Sequence, residues 1–556
     1  MPTGGEILVD YFAAEGIHHV FTVPGESFLA ALDAMHGDGR VRPITCRNES
    51  GAAMMAEATG KLTGRPGVAL VTRGPGAANA VSGVYIAHQD ETPMILCVGL
   101  PPRAMLGMPA FQSVDLEGMF GKIANWVVTV TNAATLQRTL VQAFRTATIG
   151  RRGPVVIGIP EDVLAEQGPA LGHFPVPISN LAIQSADLDQ IQNALAYAER
   201  PLAIAGGSEW SAKAAVDLAL FAERFDLPVV SSFRRQDRID NRHRCYAGHA
   251  GFTIDPSLAS GLKASDLVIA IGTNFDEVTT QGFNTLNGQS PDQKIIHIRN
   301  DPGNSECATT PVLSVAASPI HAVSALAALP LPGKRPPWGI WRRDLRAGYE
   351  ASLLPRPTPG DVKLESVIAQ LSDTLPAEAI VTNGAGNYAA FLHRYFSYKS
   401  FPSQLAPLSG TMGYGLPAAI AAKLAFPDRP AVVIAGDGCL QMTSQELMTA
   451  VQFGLGIVII VANNGSLGTI RMHQEQRYPG RVIATSLMNP DFVSWAKSCG
   501  AMAERVERTS DFIPALLRAL AGNRPAVIEL SLDCEAISPL ETIQSIRVAK
   551  SKSVSS

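Results

Sequence analysis

The feature that most constrains the fold is a pair of short, unbroken apolar runs, Ala431–Ala435 and Ile457–Ala462. The first stops at Gly436-Asp437-Gly438 and the second at Asn463-Asn464. Runs of this length, rich in Val and Ile and without polar alternation, are strands buried on both faces. The intervening segment opens with Thr443-Ser-Gln-Glu446, a capping-box pattern that predicts a helix. Strand, helix and strand in this order make a parallel crossover. Asp437 and Asn464, 27 residues apart, would then return to the same carboxyl edge of one sheet, where open α/β sheets bind ligands. Flanking glycines let the backbone approach a bulky anion. One carboxylate and one amide carbonyl are hard oxygen donors that suit Mg2+ shared with phosphate oxygens. Taken singly, an Asp and an Asn after strands are also ordinary turn residues.

The same alternation recurs along the chain. Val20–Val23, Val41–Cys46, Val68–Thr72, Met94–Val98 and Val155–Ile159 predict strands of a first block, with a helix over Ser50–Leu62. Leu202–Ala205, Pro228–Ser231, Asp266–Ile271 and Lys294–Ile298 predict a second block, with a helix running to Phe225. The third block holds the Asp437 unit and Ile380–Thr382. The fold class expected is α/β, with three doubly wound parallel-sheet domains. The boundaries expected are 1–170, 183–330 and 361–540, with a Pro-rich basic linker over 331–360 and a flexible Ser/Lys-rich tail over 541–556.

Composition removes other classes. The 556 residues are 46% hydrophobic and 17% charged, which a disordered chain is not. The net charge is −4 and no Lys/Arg cluster stands out, so no nucleic-acid partner is expected. No apolar run reaches the roughly 18 residues of a membrane span, and the first ten residues lack the pattern of a secretory signal. The 7 cysteines are odd in number and scattered, without Cys-x-x-Cys, which fits free thiols in the cytoplasm. Gly-x-Ser-x-Gly, His-Glu-x-x-His and Walker-type motifs are absent from the sequence.

Gly436-Asp437-Gly438 through Asn463-Asn464 resembles the signature of thiamine-diphosphate enzymes, and further segments agree in order along the chain. Arg47-Asn48-Glu49-Ser50-Gly51 resembles the family segment that holds the cofactor-activating glutamate, and Gly74-Pro75-Gly76-Ala77-Ala78-Asn79 its Gly-Pro-Gly loop. Phe111-Gln112-Ser113-Val114-Asp115 and Gly410-Thr411-Met412-Gly413 resemble segments of acetohydroxyacid synthases, with Ser113 where that group carries Glu. The resemblance implies a pyrimidine-binding, a central and a diphosphate-binding domain. It also implies an assembly, homodimer or homotetramer, with active sites between subunits.

The resemblance assigns roles residue by residue. Glu49 would hydrogen-bond the aminopyrimidine ring and help the thiazolium carbon lose its proton; by itself it also reads as a helix-start glutamate. Asp437, Asn464 and the Ser466 carbonyl would hold the metal. The diphosphate would lie against Gly436, Gly438, Cys439, Leu467 and Gly468, with Asn387 of Asn383-Gly384-Ala385-Gly386-Asn387 adding its amide. Gly74, Pro75 and Asn79 would line the pyrimidine. Gly410 would accept from the exocyclic amine, and Met412 would fill the bend of the cofactor.

Substrate-side candidates are Glu26, Gln112 and the Leu467–Met472 segment, with Ile470 where simple decarboxylases carry glutamate. An apolar side chain there favours capture of the donor fragment by a second carbonyl; Glu26 could instead deliver a proton. The expected reaction is decarboxylation of a 2-oxo acid with carboligation. The alternatives are decarboxylation alone, on a 2-oxo acid or an oxalyl-CoA-like substrate, and a catalytically inactive binding protein. His88 and His473 are weaker site candidates, and His18-His19 reads as structural. In the central block Gly272-Thr273-Asn274-Phe275-Asp276 matches the FAD-holding segment of the synthases poorly, with Asn274 where Arg is expected, so FAD is not favoured. Arg234 and Arg235 could contact an anionic substrate or a neighbouring subunit.

Overall fold

The computed structural model describes residues 1–169, 172, 176, 181–286, 293–301, 310–331 and 336–554. Residue 170, residues 332–335 of the expected linker and the last two residues of the expected tail lie outside them. Three six-stranded sheets form, and every pairing between their strands is parallel. The first holds β1 (His19–Thr22), β2 (Arg42–Thr45), β3 (Gly67–Thr72), β4 (Met94–Leu100), β5 (Trp126–Thr129) and β6 (Pro154–Pro160), in the order β2-β1-β3-β4-β6-β5. The second holds β7 (Pro201–Ala205), β8 (Val229–Ser231), β9 (Tyr246–His249), β10 (Leu267–Ile271), β11 (Lys294–Arg299) and β12 (Leu313–Ala316), in the order β12-β11-β10-β7-β8-β9. The third holds β13 (Ile380–Asn383), β14 (Gln404–Leu405), β15 (Ala431–Gly436), β16 (Ile457–Asn463), β17 (Met502–Val506) and β18 (Ala526–Ser531), in the order β14-β13-β15-β16-β18-β17. The α/β class and three-sheet plan expected from sequence are found. Each strand that ends in Gly, Asn or Thr delivers that residue to the carboxyl edge.

Two compact units account for the chain. One comprises Met1–Ser179, Pro407–Pro427 and Thr443–Leu455; the other comprises Asn180–Ala406, Asp428–Met442 and Gly456–Ser556. The first sheet lies in the first unit, and the second and third sheets lie in the other. Two segments of the third sequence block therefore pack with the first sheet.

In the first unit the Glu49–Thr63 helix starts at Asn48, whose Oδ1 accepts from the Ser50 amide at 2.8 Å. It ends at Gly64, in the left-handed conformation at φ +69°. The Arg73–Gln89 helix packs against it with near contact of backbones. A Cβ on Gly83 would stand 2.4 Å from the Ala53 Cβ and 2.9 Å from the Met54 nitrogen. Neither neighbour is a flexible side-chain tip, so the helices must separate. Gly83→Ala is expected to lower stability by about 1–3 kcal/mol, read as a lower melting temperature. An unchanged melting temperature would show that the pair tolerates a wider spacing.

Three local expectations change. The capping box does not form: Ser444–Glu446 is a 3-10 turn, and neither the Thr443 nor the Glu446 side chain caps it. Thr443 Oγ1 donates to the Gly413 carbonyl at 2.6 Å, and Glu446 accepts the amides of Arg47 and Asn48. Tertiary partners outcompete the local cap. The segment read as a linker contains a helix, Gly339–Ser352, because Trp338, Leu345 and Tyr349 are spaced to bury one face. Its Arg342 pairs with Asp226 at 3.0 Å. The tail read as flexible contains a helix, Ile543–Val554, with Ile543 and Ile546 buried. Arg547 grips Glu475 through two nitrogens at 2.8 and 2.6 Å, and this holds the Glu475 carboxyl down to about 2.

Candidate active site

In the other unit, the register of β15 and β16 sets the surroundings of Asp437. Gly436 pairs with Ala462, so Asp437 and Asn463 leave the sheet at adjacent levels. Asp437 is 2% exposed, and burial raises its carboxyl pKa. The Asn489 amide and the backbone amides of Gly438, Gly465 and Ser466 offset part of that cost. Asn489 Nδ2 donates to Asp437 Oδ2 at 2.6 Å and to Asn463 Oδ1 at 2.9 Å. Gln441 Nε2 donates to Asn489 Oδ1 at 2.8 Å and fixes that amide. Asn464 Oδ1 accepts from the Ser466 amide at 3.1 Å, which curls the loop back on itself. The Ser466 carbonyl accepts from the Gly468 amide at 2.9 Å, and Leu467 is tied to the Thr485 carbonyl at 2.8 Å.

The neighbouring glycines have a steric cause. Tyr388 covers the start of the loop: a Cβ on Gly436 would meet its ring at 2.9 Å, and one on Gly386, at φ +145°, at 2.8 Å. The Tyr388 hydroxyl donates to Cys439 Sγ at 3.1 Å and accepts from the Gly384 amide at 3.2 Å. Asn387 is committed on both sides of its amide. Its Nδ2 donates to the Ile537 carbonyl at 2.7 Å, and its Oδ1 accepts from Thr469 at 2.9 Å. Asn383 Oδ1, fully buried at the end of β13, has no hydrogen-bond partner among the described residues.

The first unit carries a second group of candidate residues. Glu49 is buried at the start of its helix, and Asn79 Nδ2 donates to its Oε2 at 2.9 Å. Among the described residues its Oε1 accepts no hydrogen bond, and a Cβ on Gly76 would stand 3.5 Å from it. Gly74 and Pro75 fall in the first turn of the Arg73–Gln89 helix, and the Gly74 amide donates to the Gln112 carbonyl at 2.9 Å. Arg73 links the substrate-side candidates. It lies 3.4 Å from the Glu26 carboxylate, which is 66% exposed, and 3.0 Å from Glu161. Glu26, Gln112 and the Gly-Pro-Gly turn are thus brought together. Gly410, at φ +66°, and the half-buried Met412 form an exposed turn.

Other candidates separate from these groups. His18 and His473 are exposed, and His19 opens β1. His88 closes the Arg73–Gln89 helix. Ile470 is 53% exposed on the Gly468–Arg477 helix. Arg234 and Arg235 are buried: the Arg234 guanidinium lies 4.9 Å over the Phe233 ring, and Arg235 donates to the Gly207 carbonyl at 3.1 Å. In the second sheet Asn274 Oδ1 is bonded by Arg299, and Glu209 takes Asn300 and Ser318. Sequence reasoning misses Asn489, whose only local signal is an Asn-Pro turn, and Glu446, whose signal suggests a cap instead.

The residues present fit a divalent cation and a diphosphate. Among the described residues no Lys or Arg forms an ion pair with the buried Asp437, and no group of three or more His, Cys, Asp or Glu could hold a metal. One carboxylate with an amide and a carbonyl leaves coordination positions for phosphate oxygens, the set that Mg2+ takes. Each unit also offers a polar atom that a bound group could satisfy: the orphaned Asn383 oxygen in one and the uncommitted Glu49 Oε1 in the other.

Three family models match the chain: the thiamine pyrophosphate enzyme N-terminal TPP binding domain at residues 2–119, its central domain at 188–326 and its C-terminal TPP binding domain at 384–530. The chain is 32% identical to an acetolactate synthase large subunit of Corynebacterium glutamicum, over 95% of its own length and 86% of that protein. It is 30% identical to an acetolactate synthase of Mycobacterium bovis, over 96% and 88%. An acetolactate synthase large subunit of Haemophilus influenzae is 29% identical, over 97% of this chain and 96% of its own.

Proposed function

The chain belongs to the thiamine pyrophosphate enzyme family, and on that premise we propose that it decarboxylates a 2-oxo acid and joins the remaining acyl fragment to a second carbonyl compound. The observation that carries the reading is Glu49: a buried carboxyl, pinned through one oxygen by Asn79, with its other oxygen uncommitted. Similarity to acetolactate synthases over nearly the whole chain supports ligation as the outcome. Thiamine diphosphate, when bound, supplies the carbon nucleophile and the sink for the electrons left by CO2 loss. The chain's own part is to bind, orient and move protons. Asp437, Asn464 and the Ser466 carbonyl would hold Mg2+, and Gly436, Gly438, Cys439, Leu467 and Gly468 would line the diphosphate. Asn387 positions that cradle through Thr469 and Ile537. Gly74, Pro75, Asn79, Gly410 and Met412 hold the ring half, and Glu49 holds a proton at the aminopyrimidine nitrogen.

The substrate side decides between ligation and simple proton capture. Ile470, standing where simple decarboxylases carry glutamate, has no proton to give the donor fragment, which favours the second carbonyl. Gln112 is read as an orienting amide. Glu26 works the other way: its exposed carboxyl beside Arg73 can deliver a proton, which makes plain decarboxylation the second reading. Pyruvate is expected to give both acetaldehyde and a carboligated acid, and Glu26→Ala to shift the mixture toward ligation, with products identified by mass spectrometry. Free aldehyde alone, in both wild type and variant, would replace the carboligase reading with the decarboxylase one.

The same reading includes domains at 1–170, 183–330 and 361–540, a homodimer or homotetramer with sites between subunits, and a cytoplasmic setting. No helix among the described residues is long and apolar enough to cross a membrane. FAD is left out: Asn274 replaces the expected Arg, and the buried acid Glu209 at the carboxyl edge of the second sheet is a poor neighbour for a diphosphate.

A further inference from the structure

Glu446 is fully buried in the first unit, yet its carboxylate pairs with no Lys or Arg side chain among the described residues. It is held by backbone amides and a hydroxyl. The Arg47 amide donates to Oε1 at 3.0 Å, the Asn48 amide donates to the same oxygen at 3.0 Å, and Thr449 Oγ1 donates to Oε2 at 2.7 Å. Those two amides immediately precede Glu49. The contact is tight by construction: a Cβ on Gly51 would stand 2.6 Å from Glu446 Oε1, so only glycine at 51 leaves room for the carboxylate. Three residues earlier in the same turn, Thr443 Oγ1 donates to the Gly413 carbonyl at 2.6 Å, next to Met412. The far side of that turn is tied down as well. Tyr414 donates to Glu57 Oε2 at 2.5 Å on the helix that Glu49 opens, and the Leu408 amide donates to Asp90 Oδ1 at 2.8 Å. The short Thr443–Glu446 turn is therefore bonded at one end to the chain that presents Glu49 and at the other to the turn that presents Met412.

We propose that Glu446 is a positioning residue, which aims the Glu49 carboxyl by accepting the Arg47 and Asn48 amides and which, through Thr443 and Gly413, fixes it against the Met412 turn. A carboxylate suits this task because one oxygen can take two amides while the other takes Thr449. Burial raises the Glu446 carboxyl pKa, and the amides and Thr449 pull it back down; the group is retained despite the cost of burying it. The inference rests on the reading that Glu49 activates the cofactor.

The test uses the full-length chain and four variants. Glu446→Ala removes the acceptor. Gly51→Ala leaves it in place but pushes it off the amides. Glu446→Gln keeps an amide-accepting oxygen and drops the charge. Thr449→Val removes a bond to the same carboxylate without touching the amides. In cofactor-free protein, Glu446→Ala and Gly51→Ala are expected to speed hydrogen exchange at the Arg47 and Asn48 amides by about tenfold to a hundredfold, the loss due to hydrogen bonds to a charged acceptor. With cofactor and a 2-oxo acid, kcat is expected to fall by a similar factor. Glu446→Gln is expected to recover both to within about threefold, and Thr449→Val to lower the melting temperature while leaving both unchanged. Wild-type exchange in Glu446→Ala and Gly51→Ala would overturn the proposal. So would a kcat loss that Glu446→Gln does not recover, or an equal loss in Thr449→Val. The exchange arm reads the clamp even where Glu49 has no role in activation, so failure of that underlying reading stays distinguishable.

Discussion

Glu49→Gln is expected to keep the fold and to bind thiamine diphosphate while exchanging the proton on the thiazolium carbon about 10²–10⁴-fold more slowly than wild type, the range that a positioned acid–base group contributes. The substitution preserves volume, and a glutamine oxygen can still accept from Asn79 Nδ2, which now binds Glu49 Oε2 at 2.9 Å. The helix start survives because its cap is Asn48, not Glu49. The lost charge at the N-terminal turn costs about 0.3–1 kcal/mol in helix-dipole interaction, too little to unfold a domain of this size. What glutamine cannot do is hold or release a proton at the ring nitrogen. Deuterium exchange on the bound cofactor, followed by NMR after acid quench, separates the two functions. A wild-type exchange rate would make Glu49 a helix-start residue and nothing more, and the carboligase reading would lose its central support.

The candidate residues of the two units were legible in unequal degree, for reasons of range. Asp437 and Asn464 are expected just past two unbroken apolar runs, and the register of Gly436 with Ala462 brings Asp437 and Asn463 to adjacent levels. Glu49 is expected at a helix start from the resemblance and the apolar run before it, and it opens a helix that Asn48 caps within two residues. Asn489 could not: it reaches Asp437 across 52 residues of chain, and nothing around it marks the contact. Glu446 shows the opposite failure. Thr443 and Glu446 have the spacing of a cap, but partners at Gly413 and Arg47, distant in sequence, take both side chains. At the level of the fold, sequence passes over β5, β9, β12, β14 and β17, which are all sheet edges, and β18, which is internal. β5, β12 and β17 are only partly buried and lack the continuous apolar signal of β15 and β16, while β9 and β14 are buried but only four and two residues long. The helices at Gly339–Ser352 and Ile543–Val554 were obscured by Pro-, Arg- and Ser/Lys-rich composition, although each carries a few apolar residues at helical spacing.

Asp437→Ala is expected to weaken Mg2+-dependent binding of thiamine diphosphate by more than about a hundredfold, since removal even of groups that only orient metal ligands typically costs 10–100-fold. Asp437 supplies the only charged side chain in the proposed donor set; Asn464 and the Ser466 carbonyl are neutral. The carboxylate is 2% exposed, no basic side chain pairs with it among the described residues, and burial has raised its pKa. The sign of the pH dependence follows. In the metal-free protein, a carboxyl whose folded pKa lies above its unfolded value stabilises the folded state most below the unfolded value, and that contribution is lost as pH rises through the raised one. The metal needs the ionised form, so affinity for Mg2+ should fall on acidification through the raised value, beginning above the ordinary aspartate range. In wild type at neutral pH, Mg2+ with thiamine diphosphate at about 100 times its Kd should add about 2.7 kcal/mol of stability. In Asp437→Ala this gain should vanish, while the metal-free melting curves of both proteins remain cooperative. Titration calorimetry that finds unchanged cofactor affinity in the variant, with Mg2+ still required, would move the metal away from Asp437 and leave the buried carboxylate with Asn489 as a structural pair.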